Sequence, residues 1–283
     1  MKNTPTISFI GTGALGTTMI YAISGLNYDI KSIYNQTESK AKALAGELNV
    51  SITGSFPGRQ EDLGDIIFLT VPDSKVAEVA GQLTELGDSA YWQQKRVLHC
   101  SGVLTTAALN KPAECGAKVG ALHPVQTFSD QSKPEDFRDI YFSFEGDPEV
   151  REFVSDVVEA FGSSYVELSE EGKPHIHAAA VMAANYFATL VETSGRVAQS
   201  GGVSYEDAIK LFFPLLRTMF TNMENATPKD ALSGPLKRGD IETIQTHLDL
   251  LPWDEENIYK ELGRYTLEHL PDLKRKQPER YSE

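Results

Sequence analysis

Gly11, Gly13 and Gly16 follow the apolar run Ile7–Ile10 at G-x-G-x-x-G spacing, inside the stretch "ISFIGTGALGTTMIYAISG". Each glycine answers a separate physical need of a dinucleotide cradle. Gly11 permits a tight turn out of a strand. Gly13, lacking a Cβ, lets the backbone approach a pyrophosphate, and Gly16 lets the next helix pack on the sheet. Unpaired N–H groups and the dipole at the helix N-terminus then favour the anion. A strand before the motif and a helix after it, with more βα units behind, mark the loop residues Gly11, Thr12, Gly13, Ala14, Leu15 and Gly16 as cofactor-binding. A tight βα turn with packing glycines is the alternative.

The second strand ends at "IYNQTESKAKAL". An NAD site would place Asp or Glu there for the ribose 2′-hydroxyl. Asn35, Gln36 and Thr37 stand there instead, with Lys40 and Lys42 close behind, so NADP is expected and NAD is the alternative. The two lysines also fit the solvated face of a helix. Ligands in open α/β sheets lie outside the carboxyl ends of the strands. That rule adds Val71 and Pro72, with Ser74 as a helix cap, and then Ser101 and Gly102, where a small hydroxyl and bare backbone suit a nicotinamide. His123, before Pro124, stands at the next strand end. It is a candidate to hydrogen-bond a carbonyl substrate near neutral pH; a satisfied strand-end histidine is the other reading.

The elements that must hold these residues alternate in type. β-type runs at Ile7–Ile10, Ile30–Tyr34, Ile66–Thr70, Val97–Cys100 and Lys118–Leu122 are separated by helical patterns at Gly16–Ser24, Ser39–Leu48, Lys75–Leu86 and Leu104–Leu109. Two further strands, Ile140–Phe144 and Tyr165–Leu168, flank a helix at Pro148–Phe161. This is the pattern of a mostly parallel sheet with crossover helices. Beyond Leu168 the pattern is helical at His175–Gln199, Tyr205–Met223, Ile241–Leu250 and Asp254–Leu270, punctuated by Pro214, Pro228, Pro235 and Pro252. The fold class is therefore α/β, with a Rossmann domain at 1–168 and an all-helical domain at 169–283. The polar ending "DLKRKQPERYSE" is expected to fray.

Composition narrows the function. In 283 residues with a net charge of -14, no basic stripe offsets repulsion from phosphate, which excludes a nucleic-acid partner. Only Cys100 and Cys115 occur, without CxxC or His/Cys spacing, so no metal site is expected and a reduced, cytoplasmic setting fits. No run approaches the roughly 18 apolar residues of a membrane span.

Three stretches carry a family resemblance: "GTGALG" at Gly11–Gly16, "ALHPVQTF" at Ala121–Phe128, and "HAAAVMAANYF" with "LSGPLKRGD" at His177–Phe187 and Leu232–Asp240. The chain resembles the 6-phosphogluconate-dehydrogenase-like superfamily, near pyrroline-5-carboxylate reductase and ketopantoate reductase. More narrowly it looks like Rossmann-like proteins with a DUF2520 carboxyl-terminal domain. Better-known members of that superfamily carry a lysine one helical turn before an asparagine on the long helix after the Rossmann unit. Aligning that asparagine with Asn185 places Val181 at the lysine position, so a lysine-based mechanism does not carry over. His177, two turns before Asn185, becomes the candidate for proton transfer, and Asn185 for orienting a carbonyl or carboxylate. Burial within a helix bundle is the plainer role for both. His175, behind Pro174, reads as a surface or capping residue. Arg238 is the candidate for an anionic substrate group, and Asp240 caps the helix from Ile241. The resemblance implies an NADP-dependent oxidoreductase, a small carbonyl or imine substrate between the domains, and a homodimer through the helical domain. A non-catalytic nucleotide-binding sensor or scaffold is the rival reading, favoured by the missing lysine.

Overall fold

Burial on both faces of an eight-stranded sheet organises the amino-terminal part of the chain. The structure, a computed structural model, describes residues 4–26 and 28–269; the "DLKRKQPERYSE" tail and Leu270 lie outside them. The strands are β1 (Ile7–Ile10), β2 (Ile30–Tyr34), β3 (Ile52–Gly54), β4 (Ile66–Leu69), β5 (Arg96–His99), β6 (Lys118–Pro124), β7 (Tyr141–Gly146) and β8 (Ser164–Glu167), in the order β3-β2-β1-β4-β5-β6-β7-β8. All neighbours run parallel except β6 and β7. The Rossmann expectation holds. Three-residue β3 escapes the sequence reading because Ile52–Gly54 is too short to show alternation.

Side chains of β4 show how the layers form. Ile66 and Phe68 point to one face, where they meet Met19, Ile20 and Ile23 of α1 (Ala14–Ser24) and Val150, Phe153 and Val157 of α6 (Pro148–Ala160). Ile67 and Leu69 point to the other, against Val76, Ala80 and Leu83 of α3 (Asp73–Thr84) and Trp92 of α4 (Ser89–Trp92). Helix α2 (Glu38–Glu47) adds Ala41 and Leu44 to the first cluster, and α5 (Asn110–Glu114) follows the 3-10 turn Thr106–Leu109. That turn and α5 replace the single helix expected at Leu104–Leu109.

Register sets the position of the loops. Ile10 pairs with Tyr34 and Leu69, and Leu69 pairs with His99. The next residues, Gly11, Asn35, Thr70 and Cys100, therefore all emerge at one edge. Strand β6 pairs Ala121 with His99 and then runs on to His123 and Pro124, which carries His123 past that edge.

The chain divides into two compact units after Val181. The expected boundary was near residue 168; α7 (Gly172–Ala180), and His177 with it, instead falls in the first unit. Residues Val181–Tyr186 are π-helical. The second unit contains α8 (Phe187–Ser200), α9 (Tyr205–Asn225), α10 (Pro228–Ala231), α11 (Gly234–Arg238), α12 (Ile241–Leu250) and α13 (Trp253–His269). Pro214, expected to punctuate, sits inside α9 without ending it. Pro235 likewise opens α11, where a turn was expected, because a first-turn proline forgoes no helical hydrogen bond. Asp240 caps α12 by accepting from the Thr243 amide at 3.2 Å.

Phe68 is fully buried and stacks on Phe9 with ring centroids 5.1 Å apart. Phe68→Ala is expected to cost about 3–5 kcal/mol, read as the shift in urea unfolding. A loss below about 1 kcal/mol would contradict this packing.

Candidate active site

The corner between β1 and α1 is built from close backbone contacts. Gly11 has φ +114, and a Cβ there would lie 2.4 Å from the Thr70 carbonyl oxygen. A Cβ on Gly16 would lie 2.5 Å from the Gly11 carbonyl oxygen. The Thr70 hydroxyl donates to that same Gly11 oxygen at 2.7 Å, tying β4 to the corner. Gly13 differs: nothing lies within 4 Å of the place its Cβ would take. No side chain caps α1 and no acidic residue stands in its first turn, so its leading amides are left for an anion.

A cleft of about 940 Å³ opens over this corner. Gly11–Gly16, Asn35–Thr37, Val71, Pro72 and Ser101 all line it, together with Lys40, Ser55 and Phe56. The amide side of Asn35 is spent on the loop: Oδ1 accepts from the Thr12 amide at 3.1 Å, and Nδ2 donates to the Thr37 carbonyl at 3.1 Å. Asn35, Gln36 and Thr37, which follow β2 along the cleft, carry no carboxylate. Glu38 turns to Lys42 at 2.7 Å, which leaves Lys40 as the lysine lining this end of the cleft. Ser74, expected as a cap, lies within the first turn of α3, whose N-cap is Pro72. Helix α3 starts two residues earlier than a Ser74 cap implies, with Pro72 extended at its N-cap.

Beside Ser101 the cleft gives way to buried polar groups. His99, fully buried, accepts from the Ser101 amide at Nδ1 (3.2 Å) and donates from Nε2 to the Thr105 carbonyl at 3.1 Å. One nitrogen accepts and the other donates, so this imidazole is neutral. Burial, the main cause, pushes its pKa down to about 4. His123 donates from Nδ1 to the Cys100 carbonyl at 3.1 Å, leaving Nε2 a bare lone pair while the ring is neutral. Burial also lowers His123 to about 4.

His177 approaches from α7. Its ring centroid lies 5.7 Å from that of His123, edge to face. The two close over Gly102, where a Cβ would lie 2.3 Å from His177 Nδ1 and 2.9 Å from His123 Nε2. Only glycine fits beneath this pair. His177 Nδ1 is buried and has no hydrogen-bond partner, the condition of a group that awaits one.

Lys173 was not singled out from the sequence. It lies one turn before His177 on α7, is 1 % exposed, and its ammonium has no hydrogen-bond partner. Four residues before Asn185 stands Val181, whereas four residues before His177 stands Lys173. His175 lies inside α7, exposed, with Nδ1 turned to the Glu171 carbonyl; it does not precede the helix. Asn185 and Arg238 belong to the second unit, both exposed, Asn185 in the π-helical turn and Arg238 at the end of α11. Among the described residues, no His/Cys/Asp/Glu group of metal-binding size occurs, and no helix is long and apolar enough to cross a membrane.

Residues 6–100 match the family model described as NADP oxidoreductase, coenzyme F420-dependent. Residues 140–266 match the domain of unknown function DUF2520. The resemblance drawn from the motifs agrees with both. Among solved structures, a protein from Thermotoga maritima is 24% identical over 94% of this chain and 98% of its own, with a TM-score of 0.73. A pyrroline-5-carboxylate reductase from Coxiella burnetii is 16% identical over 96% and 99%, TM-score 0.60. An imine reductase from Myxococcus stipitatus, in complex with NADP+, is 18% identical over 96% and 94%, TM-score 0.61. No curated protein matches the sequence.

Acid sensitivity follows from His99 and His123. The unfolded chain takes up their protons below pH about 6.5, whereas the folded chain refuses them until about 4. Stability is thus present above pH 6.5 and lost as pH falls through that window. The urea midpoint of the wild type is expected to fall between pH 6.5 and 4, and that of His99→Asn to fall less steeply. Parallel slopes would contradict the assignment.

Proposed function

We propose that this chain, joining an NADP-oxidoreductase match to a DUF2520 match, is an NAD(P)-dependent reductase of a small carbonyl or imine compound. The observation that carries this is the bare corner at Gly13, where a missing side chain leaves open cleft, set between two glycines with no room for a Cβ. The spaces suit a diphosphate laid against the α1 amides. Asn35, Gln36, Thr37 and Lys40 hold the adenosine end, and the absence of a carboxylate there favours a 2′-phosphate and hence NADP. Val71, Pro72, Ser101 and Gly102 bound the nicotinamide end.

A bound nicotinamide supplies the hydride. The chain must place the acceptor carbon and deliver a proton. His177 takes the proton role: its Nδ1 is unpaired and its ring lies edge to face with that of His123. His123, its Nδ1–H committed to the Cys100 carbonyl, orients the reacting group through Nε2. Asn185 and Arg238 are the second unit's candidates for orienting the substrate and holding an anionic group. Exposed Leu211, Phe213, Leu215 and Phe220 on α9 support a homodimer through the helical unit.

Gly13→Val is expected to weaken NADPH binding by at least about tenfold, roughly 1.4 kcal/mol, with thermal stability unchanged. Undiminished affinity by calorimetry would remove the cradle. His177→Ala is expected to lower kcat by roughly 100-fold or more while NADPH affinity holds; equal loss of both would count against the proton role. Tight NADPH binding by the wild type, with no oxidation across a panel of keto acids and cyclic imines, would favour the sensor reading over catalysis.

A further inference from the structure

An unpaired ammonium in a protein interior calls for a reason, because burial penalises the charged form. Lys173 is such a group: 1 % exposed, Nζ sealed from solvent, no hydrogen-bond partner. Burial, the main cause, lowers its pKa to about 8, and Glu145, Cys100 and Asp73 act in the opposite direction. It therefore stays charged at pH 7.

Its surroundings are specific. Glu145 on β7, itself buried, has both carboxylate oxygens held: Oε2 accepts from the Thr106 amide at 2.8 Å and Oε1 from the Thr106 hydroxyl at 2.6 Å. Glu145 pairs in register with Ala121, and Ala121 with His99. Side chains alternate along a strand, so His99, His123 two residues beyond Ala121, and Glu145 project from one sheet face. Lys173 interacts electrostatically with His99 and Cys100 of β5, His123 of β6, Glu145 of β7 and Asp73 at the start of α3, and His177 stands one turn along its own helix. Spacing of four puts Lys173 and His177 on one face of α7.

We propose that Lys173 is a positioning residue: a buried cation, balanced across space by the Thr106-anchored Glu145, that adds to burial in keeping a second positive charge off His123. His123 Nε2 then stays a hydrogen-bond acceptor, and the proton role falls to His177 rather than being shared between the two rings. The inference refines the division of labour in the reductase reading, but its test needs neither cofactor nor substrate.

The test is the titration of the His123 ring by NMR, in the full chain, with His123→Asn used to assign the signal. Lys173→Gln removes the charge and is expected to raise the His123 midpoint by about one pH unit. Lys173→Arg keeps the charge and is expected to leave the midpoint in place. A folded Lys173→Gln protein with an unmoved midpoint, or an equal rise in the Arg variant, would overturn the proposal. Lys173→Met gives the same comparison if the Gln variant does not fold. The wild type alone also decides: a His123 that titrates at pH 6 or above is not being kept neutral. Failure here leaves NADPH binding untouched, whereas failure of the reductase reading would show in that binding or in turnover.

Discussion

Two glycines pressed against a neighbouring backbone set the rest of this molecule in place. Gly11 and Gly16 close on Thr70 and on one another without room for a carbon atom, and the Thr70 hydroxyl pins the contact by donating to the Gly11 carbonyl. Close approach of β1, β4 and α1 is what turns the α1 N-terminus towards the carboxyl edge of the sheet. Gly13, between them, is left facing open space. Parallel register then carries the consequence outward. Ile10, Leu69 and His99 stand level, so the loops that follow them border one cleft.

The same register concentrates polarity where the sheet is otherwise apolar. Phe9, Phe68, Leu98 and Phe144 fill one layer and Ile67, Leu69 and Val97 the other. His99, His123, Glu145 and Lys173 interrupt this pattern near the cleft. Such groups are costly unless satisfied. His99 and Glu145 are fully bonded into the loop Ser101–Thr106, while Lys173 Nζ and His177 Nδ1 are not. Departures from the apolar rule of a core are where function is expected to lie. Lys173 Nζ and His177 Nδ1 thus stand among the buried polar atoms left without a partner.

Local signals explain what was legible beforehand. The glycine loop was readable because Gly11, Gly13 and Gly16 follow an apolar strand and open a helix, three independent cues at adjacent positions. Strands β1, β2 and β4–β6 showed as apolar runs because parallel strands are buried on both faces. Asp240 was readable as a cap from its place before Ile241. Other features depend on contacts between distant residues. Three-residue β3 owes its form to pairing with β2. Pro214 continues α9 although local rules favour a break. Lys173 looks like an ordinary surface lysine in "EGKPHIH"; its burial arises from β5, β6 and β7, which lie 27 or more positions earlier. The pairing of His123 with His177 across Gly102 is likewise invisible along the chain.

A crystal grown with NADPH tests the central claim most directly. The diphosphate is expected over Gly13 against the amides of Ala14–Gly16, the 2′-phosphate near Lys40, and the nicotinamide beside Ser101 and Gly102. A dinucleotide found elsewhere on the chain, or a saturating soak that leaves the Gly11–Gly16 corner without it, would contradict the account.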